Sequence, residues 1–369
     1  MKIDRALRQR LFAAVVLPLV SVVCGFIVAG VAVVVTGSDP IEAFTALFQG
    51  AFTNPRAFPE TLVAMVPYVF LGLAVALGFR AGLFNIGAEG QFYLGAIFGV
   101  LAAASLHGLP GIVHVPLALA SGMLGGFIWA AVPGLLKARF GAHEVITTIM
   151  LNYVAFQLTD FLINKGPMSD PHSSAPRTAF IDPAAQLPIL LGGSRLHLGL
   201  IVAVLAVPIV WFLIQRTTIG FRIRTVGFSP GAARAAGISV GWTLVLAMGI
   251  SGALAGIAGA DEILGVSHYM PASFSVGYGF DSIAVALLAR SNPWAILPSA
   301  FLFGAMRNGA AFMQLQTQVS SDLISIVQAI VIMFVAAPAM VRWILRLREV
   351  PVGGLQITQR ETAGVSSET

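Results

Sequence analysis

A chain of 369 residues that is 57% hydrophobic and only 10% charged, with a mean hydropathy of +0.88, carries far less charge than the roughly 25% typical of a soluble domain. That composition excludes a water-soluble globular enzyme and makes lipid the solvent for most of the exterior. The net charge of +5, from 21 Lys+Arg against 16 Asp+Glu, reads as the cytoplasmic bias of membrane-protein loops and not as a nucleic-acid footprint. One cysteine, Cys24, excludes a disulfide framework and any multi-cysteine metal site.

The first ten residues are basic and precede an uncharged run at 11–37. A cleaved signal peptide has an apolar region of only about 7–15 residues, so this run is expected to be a retained span with its basic end inside. Further uncharged runs cover 61–79, 92–136 (long enough for two spans around His107 to His114), 145–159, 196–215, 238–260 and 323–341. Two shorter segments, 274–289 and 293–306, are broken by Arg290-Ser291-Asn292-Pro293. The pattern predicts an all-α polytopic transmembrane helical bundle of about ten spans with both termini cytoplasmic. In that topology only Arg56, Lys165, Arg177, Arg195 and Arg307 of the 21 basic residues fall outside. Residues 1–349 are expected to form the membrane domain, and the tail at 350–369, which lacks apolar periodicity, to be disordered. Two extracytoplasmic segments, 38–59 and the turn-rich 165–195, serve either as docking surfaces or as spacers.

Between the second and third spans the sequence Gly82-Leu-Phe-Asn85-Ile-Gly87-Ala-Glu89-Gly90-Gln91 is dense in glycine. Non-helical backbone at membrane depth survives only where protein or a water-filled cavity surrounds it. Glycine-interrupted hydrophobic segments are the best sequence pointer to a transport site, so Asn85, Glu89 and Gln91 are expected to line the pathway. A buried Glu89 needs a partner or a proton. Gly277, Gly279 and Asp281 mark another break, with Tyr278 between them. Asn152 and Tyr153, in a neutral run, suit hydrogen bonding to a polar solute or, more commonly, interhelical packing. Phe92, Tyr153, Phe156 and Tyr278 offer faces for a nucleobase, although core packing or lipid contact is the commoner use of such rings. The small-residue run at 249–259 favours tight helix packing.

The cytoplasmic loop at 216–240 contains its own helix signal. Ser229 is a good N-cap, Pro230 suits the first helical position, Ala232-Ala233-Arg234-Ala235-Ala236 is helix-forming, and Gly237 ends the helix in a left-handed conformation. A helix of about two turns is too short to be stable without packing on something. Lipid phosphates or a partner protein are the two candidates.

GLFNIGAEGQ, followed later by GFSPGAARAAGI and SGALAGIAGA, resembles the permease subunits of bacterial ATP-binding-cassette importers for nucleosides and simple sugars. The likeness covers nearly all of the chain. It implies a type II importer-like permease in which spans two to five and seven to ten form an inverted repeat. It also implies that Gly231, Ala232, Ala233, Arg234, Ala235, Ala236 and Gly237 form the coupling helix that contacts a cytoplasmic ATPase. The NIGAEGQ form is similar to nucleoside-type permeases more than to ribose or branched-chain amino-acid ones. The implied partners are that ATPase, a second and non-identical permease, and an extracytoplasmic binding protein that delivers a nucleoside or simple sugar. The implied location is the bacterial plasma membrane.

A phosphate-binding Walker loop requires lysine after glycine. The three lysines, Lys2, Lys137 and Lys165, follow Met1, Leu136 and Asn164, so ATP and Mg belong on the partner and no cofactor is expected on this chain. The six histidines form no metal spacing. An alternative class, an ion-coupled secondary transporter, requires carboxylates within the spans, whereas Glu89, Asp160, Asp261, Glu262, Asp281 and Asp322 fall at or near breaks and ends. An intramembrane enzyme would need a nucleophile–base pair that the chain does not display.

Overall fold

The computed structural model describes residues 17–35, 37, 39–53, 55–272, 274 and 277–317, with 326, 329–330 and 333–334 beyond them. The basic N-terminal segment, most of the span expected at 323–341 and the tail at 350–369 lie outside the described residues. In chain order the helices are α1 (Leu17–Val35), α2 (Pro40–Phe48), α3 (Ala57–Arg80), α4 (Ala88–Ser105), α5 (Gly111–Phe140), α6 (Glu144–Asn164), α7 (Gly199–Arg216), α8 (Thr218–Phe228), α9 (Pro230–Ala235), α10 (Val240–Glu262), α11 (Tyr278–Leu288) and α12 (Pro293–Thr317). Five helical stretches, Ala57–Arg80, Gly111–Phe140, Glu144–Asn164, Gly199–Arg216 and Val240–Ser267, are long and apolar enough to cross a membrane. The chain is an all-α polytopic membrane bundle.

Two helices occupy the centre. On α3 nearly every side chain from Val66 to Leu77 is fully enclosed. Helix α10 is enclosed because its small residues let backbones touch. A Cβ on Gly256 would lie 2.2 Å from the Gly122 carbonyl of α5, and one on Gly252 would lie 2.3 Å from the Gly126 carbonyl. Lipid supplies no hydrophobic drive between helices, so this close van der Waals approach is what holds them. Helices α5, α6 and α7 turn Ile112, Leu124, Ile128, Ile146, Met150, Val154, Ile209 and Phe212 outward, as lipid-facing surfaces require.

Within the segment at 38–59 the described residues are mostly helical and bonded to the bundle. Asp39 caps α2 by accepting from the Ile41 N–H, and a π-helical turn (Gln49–Thr53) follows. Asn308 of α12 donates to the Gly50 and Ala57 carbonyls, both at 2.9 Å. The segment at 165–195 is bonded to the residues that follow α10, through Thr178 N–H to Met270 O, Ile181 N–H to His268 O and Leu187 N–H to Leu264 O. Turn chemistry alone could not reveal these long-range backbone bonds.

Arg307, which the expected topology puts outside, follows the uncharged segment 293–306 and lies within α12, which continues through it to Thr317. A charge ends a hydropathy run without ending a helix when the bundle supplies a partner.

Candidate functional site

The chain between α3 and α4 turns back into the bundle. Asn85 donates to the Ser251 hydroxyl, which in turn donates to the Ala74 carbonyl. Ala74 precedes the α3 terminus by six residues, about 9 Å of helix, so non-helical backbone runs at membrane depth inside protein.

Four polar side chains hold this turn. Asn85 donates to Gln91 Oε1 and Ser251 Oγ, both at 2.9 Å, and its Oδ1 accepts from the Gly87 N–H and Gln91 Nε2, both at 3.0 Å. Those four bonds exhaust its amide. Asn152 of α6 accepts from the Gly90 N–H at 2.9 Å and donates to the Ile86 carbonyl at 3.0 Å. The three amides and Ser251 are thus committed to the protein.

A second group gathers where two helices begin. Glu89 lies in the first turn of α4 with 2% exposure, and its Oε2 accepts from the Gly279 N–H in the first turn of α11. The carboxylate therefore sits between two helix N-termini, whose free N–H groups and dipoles stabilise negative charge. Gly279 is required for the approach, because a Cβ there would stand 2.4 Å from the Glu89 nitrogen. Asp281, also in the first turn of α11, accepts from Tyr68 Oη at 2.9 Å. Arg307 Nη1 lies 3.3 Å from Tyr68 Oη and 3.8 Å from Asp281 Oδ2. Its guanidinium is 4.2 Å above the Tyr278 ring, a cation–π distance. Phe92 stacks on Phe274 at 5.0 Å and lies 5.9 Å from Tyr278, which in turn is 5.2 Å from Tyr68.

The structure thus brings Glu89, Tyr278 and Asp281 together and puts Asn85, Gln91 and Asn152 in a neighbouring brace. Tyr153 is in neither: it is 62% exposed on the outer side of α6. Sequence reading missed Tyr68, hidden in an apolar span, and Arg307. The signal for Arg307 was available, since apolar residues continue on both sides of it.

At the end of the segment 165–195, Arg195 donates to both Glu60 oxygens, from N–H to Oε1 at 3.2 Å and from Nε to Oε2 at 2.9 Å. Glu262 lies within electrostatic range of both Arg195 and Arg307, so charges of both signs continue from this pair to the Tyr278 group. Asp261 faces elsewhere. It is 2% exposed and approaches His197 Nε2 at 4.0 Å, under a backbone so close that a Cβ on Gly199 would overlap it at 2.0 Å.

At the opposite end of α7, the short helix expected after Ser229 is α9, and α8 (Thr218–Phe228), which the sequence reading did not anticipate, precedes it. Ser229 Oγ accepts from the Ala232 N–H at 3.3 Å, Pro230 opens the helix, and Gly237 (φ +75°) follows its end. Of Gly231 to Gly237, Ala233 alone is buried; the adjoining Phe228 is 91% exposed. Among the described residues no cluster of His, Cys, Asp and Glu could hold a metal ion.

Residues 58–336 match the family described as the branched-chain amino acid transport system permease component. The chain belongs to that permease family. It is 39% identical to the guanosine ABC transporter permease protein of Bacillus subtilis, over 89% of this chain and 94% of that one. It is 35% identical to a glucose ABC transporter permease protein of Haloferax volcanii (86% of each chain) and 35% identical to a nucleoside ABC transporter permease protein of Lactococcus lactis (87% and 90%). No solved structure matches. Membership makes the chain a transport subunit and not an enzyme.

Proposed function

We propose that this chain forms the translocation pathway of an ATP-binding-cassette importer for a nucleoside, with a simple sugar as the second candidate. The observation that carries the reading is the meeting of the first turns of α4 and α11, where Glu89 accepts from the Gly279 N–H, beside the α11 residues Tyr278 and Asp281 and their partners Tyr68 and Arg307. A solute passing here meets hydrogen-bonding groups and ring faces in a bundle otherwise closed by apolar packing. The guanosine and nucleoside relatives and the aromatic faces favour a base-bearing solute, while the glucose relative keeps a sugar in play.

The finer architecture is part of the proposal: about ten spans, both termini cytoplasmic in a bacterial plasma membrane, and a type II importer-like inverted repeat. In that repeat α3 is equivalent to α10 and α4 to α11. The first pair are the two central helices and the second pair meet at Glu89 and Gly279, which supports the repeat. The membrane domain spans 1–349. Asn85, Glu89, Gln91, Asn152, Tyr278 and Asp281 form or brace the pathway, and Tyr153 faces lipid or a second permease.

The partner ATPase, carrying ATP and Mg, engages Gly231, Ala232, Ala233, Arg234, Ala235, Ala236 and Gly237, whose exposed helix needs a packing surface. An extracytoplasmic binding protein delivers solute, and ATP shifts the balance between outward- and inward-open states.

Reconstitution tests the reading. Proteoliposomes holding this permease, a second permease, the ATPase and the binding protein are expected to accumulate labelled nucleoside only with ATP. Uphill accumulation by this chain alone, driven by an ion gradient, would overturn it.

A further inference from the structure

The turn between α11 and α12 is held in a conformation its own residues do not favour. Arg290 (φ +50°) and Ser291 (φ +54°) are consecutive non-glycine residues in the left-handed region, where side chains crowd the backbone. Local bonds close the end of α11, with Arg290 N–H to Leu287 O and Ser291 N–H to Ala286 O, both at 2.9 Å. The Ser291 carbonyl is gripped from outside the turn. Arg80, the last residue of α3, directs Nε and Nη2 onto it at 3.2 and 3.1 Å.

The backbone of that same Arg80 is pressed by the helix preceding α9. A Cβ on Gly227 of α8 would stand 2.2 Å from the Arg80 carbonyl oxygen and 2.8 Å from the Ala81 carbonyl carbon, and one on Gly82 would be 3.3 Å from Gly227 Cα. The two backbones touch with no side chain between them to absorb a displacement. Arg80 thus contacts α8 on one side and the α11–α12 turn on the other. Helix α11 carries Asp281 and α12 carries Arg307, the two groups that meet at Tyr68. The turn that presents Glu89 begins at Gly82.

We infer that Arg80 is a positioning residue that transmits movement of α8 and α9 to the α11–α12 turn, and so to the contact between Asp281 and Arg307. The inference rests on the ATPase-coupled reading above. A contiguous packed chain is the physical means by which two distant sites bias one two-state element, and altering one link changes coupling by about two- to thirtyfold.

The test measures nucleoside imported per ATP hydrolysed by the complete reconstituted transporter. Arg80→Lys keeps a positive charge at the α3 C-terminus but cannot place two nitrogens on one carbonyl in fixed geometry; Arg80→Gln removes the charge. Both are expected to hydrolyse ATP while the transport ratio falls about two- to thirtyfold. A ratio equal to wild type in both variants overturns the inference. Gly227→Ala, which puts a Cβ 2.2 Å from the Arg80 carbonyl oxygen while leaving the Arg80 guanidinium intact, is expected to lower the ratio as well, and serves alone if the Arg80 variants do not assemble; an unchanged ratio then overturns the inference. If the wild-type complex hydrolyses ATP without importing nucleoside, the proposed function fails and this inference with it. A coupled wild type with coupled variants removes the Arg80 link alone.

Discussion

Replacing Asn85 with alanine separates a brace from a pathway residue. The side chain makes four hydrogen bonds at 2.9–3.0 Å, at 0% exposure. Its removal leaves the Gly87 N–H and both ends of the Gln91 amide without these partners, whereas Ser251 keeps its bond to Ala74 O. Each buried group so orphaned costs about 1–3 kcal/mol, and partial rehydration of the space left by the amide favours the lower end, so about 3–6 kcal/mol is expected. That is a large share of a typical folding free energy of about 5–15 kcal/mol. The assay is thermal unfolding of the detergent-solubilised protein, paired with the KM for uptake by the fraction that survives. A double-mutant cycle with Gln91→Ala is expected to give a coupling of about 0.5–3 kcal/mol, because the two amides bond reciprocally. Wild-type unfolding with an altered KM would refute the brace and return Asn85 to direct solute contact.

Other substitutions probe the remaining links. Glu89→Gln keeps size and an acceptor for the Gly279 N–H but removes the charge between two helix ends; uptake is expected to fall more than tenfold with near-normal folded yield, since lost attraction of about 2 kcal/mol is offset by relief of carboxylate desolvation. Loss of folded protein with normal turnover per surviving molecule would make Glu89 structural. Arg234→Glu should abolish ATP-driven uptake while the permease still inserts, and unchanged uptake would remove α9 from the ATPase contact. Gly256→Val drives a side chain into the Gly122 carbonyl, which lies 2.2 Å from where its Cβ would stand, and should lower stability by at least about 1–3 kcal/mol; a wild-type melting curve would contradict the tight α5–α10 contact. Glu60→Gln breaks an ion pair whose arginine is 63% exposed, so stability should change by no more than about 1 kcal/mol. A larger drop would make this pair a structural tie.

Composition and hydropathy made the membrane bundle legible, because lipid admits only backbone whose polar groups are satisfied within the segment. The apolar runs coincide with α3, α4, α5, α6, α7 and α10, and Ser229, Pro230 and Gly237 delimit α9 through contacts no more than a few residues apart. The glycine-dense turn at 82–91 was likewise visible as a break. Its division of labour was not: Asn85, Glu89 and Gln91 look alike in sequence, yet Asn85 and Gln91 bond each other and Asn85 bonds Ser251, while of the three side chains it is Glu89 that bonds α11. Tyr68 gave no signal within its apolar run, and the apolar residues on both sides of Arg307 marked it without naming its partners. Periodicity reports whether a residue belongs to a helix, whereas the partner that makes a buried charge tolerable comes from Asp281 and Tyr278, on a different helix. Local chemistry determined where the helices lie; the crossing of distant segments at Gly279, Ser251 and Gly227, where only small residues allow backbones to meet, decided which polar groups share a site.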